Sequence, residues 1–552
     1  MKNRISKIVL IVGLAISSVV SVGYVDSYFE VSKNLDIFAT LFRELNIYYV
    51  DDSDPGKLMK TGIDAMLKSL DPYTNYIPES NIEDYKMMTT GQYGGIGALI
   101  QKQGDYVIIS EPYEGFGAFK AGLIAGDKIL EVDGKSVKGK STTDIREFLL
   151  GQPGTSIELK IERPGAEEPL LKKVTREEVK IKDVPYFAMV SDSVGYIKLT
   201  GFTETASAEV KEAFNKLKEE NMQSLVLDLR GNGGGLLKEA VAIVNFFVPK
   251  GADIVNTKGK IKDWDKTYVA TLNPLDMNIP VVVLIDGGSA SASEIVSGSL
   301  QDNDRAVVIG SQSFGKGLVQ SVRPLSYNSK LKVTVAKYYT PSGRCIQKLD
   351  YSHRDDEGKV NEIADSLITE FKTIHNKRPV FDGKGIAPDV EVERELISDI
   401  SVSLLTKSLF FNFATEYKLK HETIASPKEF QLSEKDYKSF VEFLSDKDYA
   451  YTTESEDLLA SLEKTTKEEK YFEDVKAEYE ELKQKLSHHK SDDLNTFKKE
   501  ISKILETEIV GRYYYQKGQI EISLKKDTTL NEAIKTLDNK ELYNSILAGT
   551  NK

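Results

Sequence analysis

The sequence has a single cysteine, Cys345, so no disulfide can form within the chain, a composition that fits any compartment. Only five histidines occur in 552 residues (His353, His375, His421, His488 and His489), all outside the core strand–helix unit described below. A Ser-His-Asp arrangement therefore has little support, although triads assemble across sequence. There is no basic excess: 73 Lys and Arg stand against 85 Asp and Glu, a net charge of −12. With nothing left over to neutralise phosphates, a nucleic-acid partner is not expected. No His/Cys/Asp/Glu group shows metal-ligand spacing, so neither a metal nor another cofactor is expected. Beyond residue 25 no apolar run approaches membrane-spanning length.

What is present begins at the N-terminus. Lys2, Arg4 and Lys7 precede an apolar run, Ile8 to Val25, broken only by Gly and Ser. A basic start before a hydrophobic segment marks an exported chain. The run is long for a signal peptide and just enough for a spanning helix, and Ser21-Val22-Gly23 is a passable cleavage site. Residues 1–25 are expected to be a signal peptide or a membrane anchor, and the protein to be periplasmic or attached to the cell envelope. The remainder, 40% apolar and 29% charged overall, has the composition of roughly three to four globular domains.

Residues 26–90 read as a helical cap, with apolar residues at helical spacing from Leu35 to Tyr49 and a second helix from Gly56 to Leu70. Leu70-Asp-Pro-Tyr-Thr-Asn-Tyr76 then makes a turn-rich exit. From residue 91 to 165 the pattern is short strands, a small-residue helix from Gly117, the Val132-Asp-Gly134 hairpin signal and a polar-start helix from Thr142. With Gly122-Leu-Ile-Ala-Gly-Asp-Lys-Ile-Leu130, this order resembles a PDZ domain. Such domains bind extended peptides as an added strand and capture C-terminal carboxylates on backbone N–H groups. Gly94, Gly95, Ile96 and Gly97 are the candidate peptide-binding residues, the glycines allowing close backbone approach.

Residues 166–395 alternate strands and helices in the α/β manner, which places chemistry on loops at strand ends. Ser224 to Arg230 is a buried strand entering the Gly231-Asn-Gly-Gly-Gly235 loop. Val281 to Ile285 is another, leading to Gly288-Ser-Ala-Ser-Ala-Ser-Glu294 where a helix begins. Unpaired N–H groups and the helix dipole at such a turn favour developing negative charge, which suits a serine nucleophile. Serine needs a base, and the strand Ala306 to Ile309 leads to Lys316 within Gly315-Lys-Gly317. To act near neutral pH this lysine must be desolvated, by a pocket near Phe314 and Leu318 and without a nearby carboxylate; Gln320 offers it a neutral partner. Ala292 and the Gly233–Gly235 run are the natural oxyanion donors.

Gly310 to Lys316 also matches G-x-x-x-x-G-K, but Gly317 replaces the Ser/Thr of a phosphate-binding loop and a strand follows, so nucleotide binding is not expected. Asp302 and Asp304 read as a solvated helix end. Residues 396–552 read as a helical accessory domain, with Phe472, Val475, Tyr479, Leu482 and Leu486 on a helix that packs antiparallel against another.

The motifs Asp228-Leu-Arg230 with Gly234-Gly235, Ser289 to Glu294, Gly315-Lys-Gly317 with Gln320, Tyr339-Thr-Pro-Ser-Gly343 and Gly385-Ile-Ala-Pro-Asp389 together resemble the C-terminal processing (tail-specific) protease family, over about residues 30–395. The resemblance implies a multidomain α/β protein whose ClpP/crotonase-like protease core carries an inserted PDZ domain. It implies Ser291 as nucleophile, Lys316 as general base, Gln320 as its orienting partner, and Gly234 with Ala292 as the oxyanion hole. Gly233 departs from the family, where proline is common. The expected function is endoproteolysis of exported proteins near their C-termini, with free-tailed proteins or peptides as partners, and with room for an adaptor or activator and for self-association. The alternative is a non-catalytic PDZ scaffold that retains the fold.

Overall fold

The computed structural model describes residues 28–355, 358–393, 395–490 and 492–550; the expected signal or anchor at 1–25 lies outside them. Among the described residues no helix is long and apolar enough to cross a membrane. The aliphatic run Val281–Ile285 is a strand buried on both faces, as a central parallel strand must be. It lies within a six-stranded sheet ordered Tyr186–Met189, Val194–Lys198, Ser224–Asp228, Val281–Ile285, Val307–Gly310 and Val390–Glu391. The first pair is antiparallel and the rest are parallel.

Helices Ala206–Glu219, Leu237–Asn245 and Ala292–Asp302 pack their apolar residues on one face of this sheet. The other face is covered from the far end of the chain. Leu530, Ala533, Leu537, Tyr543 and Ile546 of helices Thr528–Asp538 and Lys540–Leu547 pack on Tyr196, Val226, Val282, Leu284 and Ile309. Residues 528–547, within the expected helical accessory domain 396–552, thus pack as a layer on the α/β core. Helices 399–524 do form a core of their own, around Phe410, Phe413, Phe440, Leu505 and Ile509. Replacing Leu530, 2% exposed, by Ala should cost about 2–5 kcal/mol of stability in urea unfolding, whereas Leu458→Ala, 64% exposed, should leave the midpoint unchanged.

A second sheet joins Asn75–Ile77 to Lys330–Tyr339, with Asp253–Gly259 and Leu318–Pro324 on that same long strand. The PDZ sheet is ordered Ala98–Gln103, Tyr106–Pro112, Lys128–Val132, Ser156–Glu162 and Leu170–Thr175. It continues past the expected boundary at 165, because the turn after Glu162 returns a strand whose Val174 is fully buried in the PDZ core. The PDZ unit is held by the C-terminal helices. Phe119 meets Tyr515 edge to face, and Gln103 donates to Asn412 at 2.8 Å. Helix Lys498–Leu524 kinks at Tyr515 (φ 52°, ψ −159°), and the next N–H, of Gln516, donates to Glu111 of the PDZ at 3.0 Å.

The N-terminal cap contains helices 28–48, Pro55–Lys68 and Ile82–Thr90. Ile37, Phe38, Leu41 and Ile47 of the first are exposed. Asp302 and Asp304 are not solvated as expected. They are buried acceptors for Arg344 (2.8 Å) and Arg378 (2.8 Å), because the segment 340–378 folds back over the helix end. Phe472 and Tyr479 of Phe472–Lys490 pack with Leu459 of helix Glu454–Glu468.

Candidate active site

The three serines of the run 289–293 have different tasks. Ser289 and Ser293 are fully buried and their hydroxyls donate to the carbonyls of Leu229 and Asn232, both at 2.8 Å. Ser291 alone lines a cavity of about 690 Å³. Its backbone has φ 57° and ψ −111°, a strained conformation for a residue with a Cβ, costing on the order of 1–3 kcal/mol. The surroundings fix it: the Ser291 N–H donates to Glu294 at 2.8 Å, and the Tyr338 hydroxyl donates to the Ser291 carbonyl at 3.1 Å. The helix Ala292–Asp302 starts directly after it.

Lys316 lines the same cavity, and so does Gln320. Glu294 ties the two loops together. Its completely buried carboxylate accepts from Ser313 Oγ (2.6 Å), Gly315 N (2.7 Å), Lys316 N (2.9 Å) and Ser291 N (2.8 Å). Burial pushes its pKa up, against four donors that favour the ionised form. Gly315 and Lys316 therefore spend their N–H groups on a carboxylate.

The Lys316 pKa is lowered to about 8, chiefly by burial and also by the positive charge of Lys332, while Glu294 and Asp71 oppose. Two carboxylates are thus within range, contrary to expectation, and desolvation outweighs them. Phe314 is largely exposed and does not line the cavity. The covering ring is that of Tyr73, with the Lys316 ammonium 4.2 Å from its centroid. Among the described residues Lys316 Nζ has no hydrogen-bond acceptor, and Gln320 Nε2 donates to Thr334 Oγ1 at 3.2 Å. The structure brings Ser291, Lys316 and Gln320 to one cavity without bonding their side chains to each other. No histidine lines it among the described residues.

The glycine loop meets the serine turn directly. A Cβ at Gly234 (φ 98°) would lie 2.9 Å from both Ala292 N and Ser291 Cβ, so only glycine fits there. The Gly234 N–H, however, donates to Asn232 Oδ1 at 2.9 Å, while the Ala292 N–H has no acceptor among the described residues. Of the two expected oxyanion donors, Ala292 is open and Gly234 is engaged. Asp228 and Arg230 lie behind the site. Burial would raise the Asp228 pKa, but Lys198, Arg230 and the Tyr196 hydroxyl hold it well below the carboxylate range. Arg230 also grips Asp527, tying the strand end to the C-terminal helices.

In the PDZ unit an apolar groove runs between the edge strand Ala98–Gln103 and helix Thr142–Leu149, lined by Ile96, Ala98, Ile100, Leu149 and Leu150. Ile96 lies in it; Gly94, Gly95 and Gly97 do not. Their missing Cβ atoms make room for Gly151 O, the Tyr93 ring and Phe116 Cβ, so these glycines serve close packing of the chain on itself. Arg146 of the groove helix pairs at 2.7 Å with Asp84, on a helix that also walls the cavity of Ser291.

Glu294, Tyr73, Lys332, Thr334 and Asn232 are the residues the sequence reading missed. Glu294 and Asn232 stood inside quoted motifs but bond mainly to backbone, which leaves no side-chain pairing to notice. Tyr73 stood in the turn Leu70–Tyr76, and nothing local links it to Lys316.

A family model described as peptidase family S41 matches residues 193–352, a PDZ domain model matches 108–163, and a model described as the C-terminal helical domain of a probable PDZ-protease matches 400–537. The carboxy-terminal-processing protease of Bartonella bacilliformis is 40% identical over 319 residues, 57% of this chain and 73% of that protein. A probable CtpA-like serine protease of Staphylococcus aureus is 37% identical over 57% of this chain and 63% of its own length. Among solved structures, the photosystem II D1 C-terminal processing protease is 30% identical, with 65% of this chain and 93% of that one covered and a TM-score of 0.35. The domains are those of a serine-type peptidase that carries a PDZ domain. The chain belongs to peptidase family S41, the carboxy-terminal-processing proteases.

Proposed function

We propose that this protein is a Ser-Lys endopeptidase that cuts exported proteins near their C-termini. The observation that carries the reading is a strained serine, Ser291, sharing one cavity with a lysine whose pKa is lowered to about 8. Lys316 takes the Ser291 Oγ proton, Oγ attacks the scissile carbonyl, and the Ala292 N–H stabilises the oxyanion. Lys316 returns the proton to the leaving amine and then activates the water that hydrolyses the acyl-enzyme. The described arrangement is a resting one. Catalysis requires Lys316 to lose its proton and its amine to leave the Tyr73 ring for Ser291, and the Gly234 N–H to turn away from Asn232 if it is the second donor. Gln320, with its amide nitrogen on Thr334, keeps its oxygen for the lysine.

The substrate tail would add to the open edge of Ala98–Gln103 and fill the apolar groove around Ile96. The basic and apolar residues 2–25 support export to the cell envelope as the setting of this activity. The exposed apolar face of helix 28–48 fits self-association, and an adaptor or activator could dock at the PDZ unit. Ser291→Ala should eliminate cleavage of an unstructured protein with a free C-terminus while leaving thermal unfolding within a few degrees of wild type. Unchanged cleavage would refute the nucleophile assignment. A wild type inactive with every activator tried, yet binding free tails, would instead favour the scaffold reading.

A further inference from the structure

Lys332 lines the cavity of Ser291 together with Lys60 and Lys316, and the resting site gives it nothing to do. It sits on the long strand Lys330–Tyr339, whose alternate residues face the cavity: Tyr338 reaches Ser291, Thr334 holds Gln320, and Lys332 lies one step beyond. The charged groups around it are otherwise occupied. Lys60 pairs with Asp64, Asp84 pairs with Arg146, Lys330 lies over the Tyr85 ring, and Lys316 lies over the Tyr73 ring. Among the described residues Lys332 Nζ has no carboxylate, carbonyl or ring partner. It is half-buried, and burial pushes its pKa down. Among the described residues Asp84 is the one carboxylate in the cavity wall, so the cavity holds uncompensated positive charge. A desolvated, unpaired ammonium beside a reaction site is costly unless something that binds there completes it.

We propose that Lys332 binds a carboxylate of the substrate close to the scissile bond. Two parts of a polypeptide carry that group, an Asp or Glu side chain and the C-terminal carboxylate of the tail being removed. The inference rests on the peptidase reading and deepens it. A charge-assisted hydrogen bond in such a place discriminates by about tenfold to a hundredfold.

The test compares kcat/KM of wild type, Lys332→Met and Lys332→Arg on four matched peptides that share one cleavage sequence. Two differ in a free or amidated C-terminus a few residues past the cut, and two carry Glu or Gln beside it. Wild type should prefer the free acid over the amide, or Glu over Gln, by about tenfold to a hundredfold. Which ratio is large identifies the source of the carboxylate. Lys332→Met should lower that ratio by about tenfold to a hundredfold and Lys332→Arg should keep it. Any preference of the PDZ groove for free tails is common to all variants and cancels when the wild-type ratio is divided by the variant ratio. A ratio as large in Lys332→Met as in wild type, or its absence from wild type, overturns the proposal. So does an equal slowing of all four peptides, which would leave Lys332 only a tuner of Lys316. If wild type cleaves none of them, the peptidase reading is what fails. The same ratios are then read as dissociation constants in Ser291→Ala with and without Lys332→Met, and unchanged ratios again overturn the proposal.

Discussion

Lys316→Arg should leave a folded protein with essentially no turnover. Loss of a general base costs ~10²–10⁴ in rate, and a guanidinium cannot deprotonate in its place. The native lysine is expected to write its pKa into the pH profile. The working form is the neutral amine, so kcat/KM on a short peptide should rise with pH to about 8 and flatten above it. Burial is the largest cause of this lowered value, Lys332 adds to it, and Glu294 and Asp71 oppose it. A rising limb near the ordinary lysine value of 10.5, or full activity in the Arg variant, would remove Lys316 from the mechanism.

Glu294→Ala should be nearly as damaging, for a different reason. It leaves the N–H groups of Ser291, Gly315 and Lys316 and the hydroxyl of Ser313 without their acceptor in a fully buried place. Each unsatisfied donor costs roughly 1–3 kcal/mol. The strained Ser291 turn and the Lys316 loop should therefore relax apart, with kcat lower by about 10³-fold or more and a clearly lower melting temperature. A purely structural role predicts the fall in melting temperature alone. A positioning role also predicts movement of the pH limb. Removing a carboxylate that raises the Lys316 pKa should shift any residual activity toward lower pH, measurable in Glu294→Gln, which keeps the volume. An unmoved limb at unchanged rate would show that the four hydrogen bonds serve folding only.

These expectations show where sequence stops being informative. Ser291 and Lys316 were legible because a strand-to-helix turn and a glycine-flanked lysine are local patterns. The buried strand Val281–Ile285 was legible because a run of aliphatics at that length can hardly be anything else. Tyr73 and Lys332 were not, since they reach Lys316 only through the pairing of Asn75–Ile77 with Lys330–Lys332, and register between distant strands leaves no mark on either segment. Asp302 and Asp304 looked like a wet helix end because their arginine partners, Arg344 and Arg378, follow in a segment that looked like a charged insertion. The PDZ glycines were legible as necessary, but their neighbours Gly151, Tyr93 and Phe116 show them meeting their own chain.

The helices Thr528–Asp538 and Lys540–Leu547 bear on when this protein becomes a peptidase. A chain synthesised only as far as residue 525 already contains Ser291, Glu294, Lys316 and the whole of the six-stranded sheet. One face of that sheet, with Val226, Val282 and Leu284, would still be open to water. The strands that aim Ser291 and the glycine loop at each other gain this second cover, and the Arg230–Asp527 clasp, only once residues 527–547 have been made and packed.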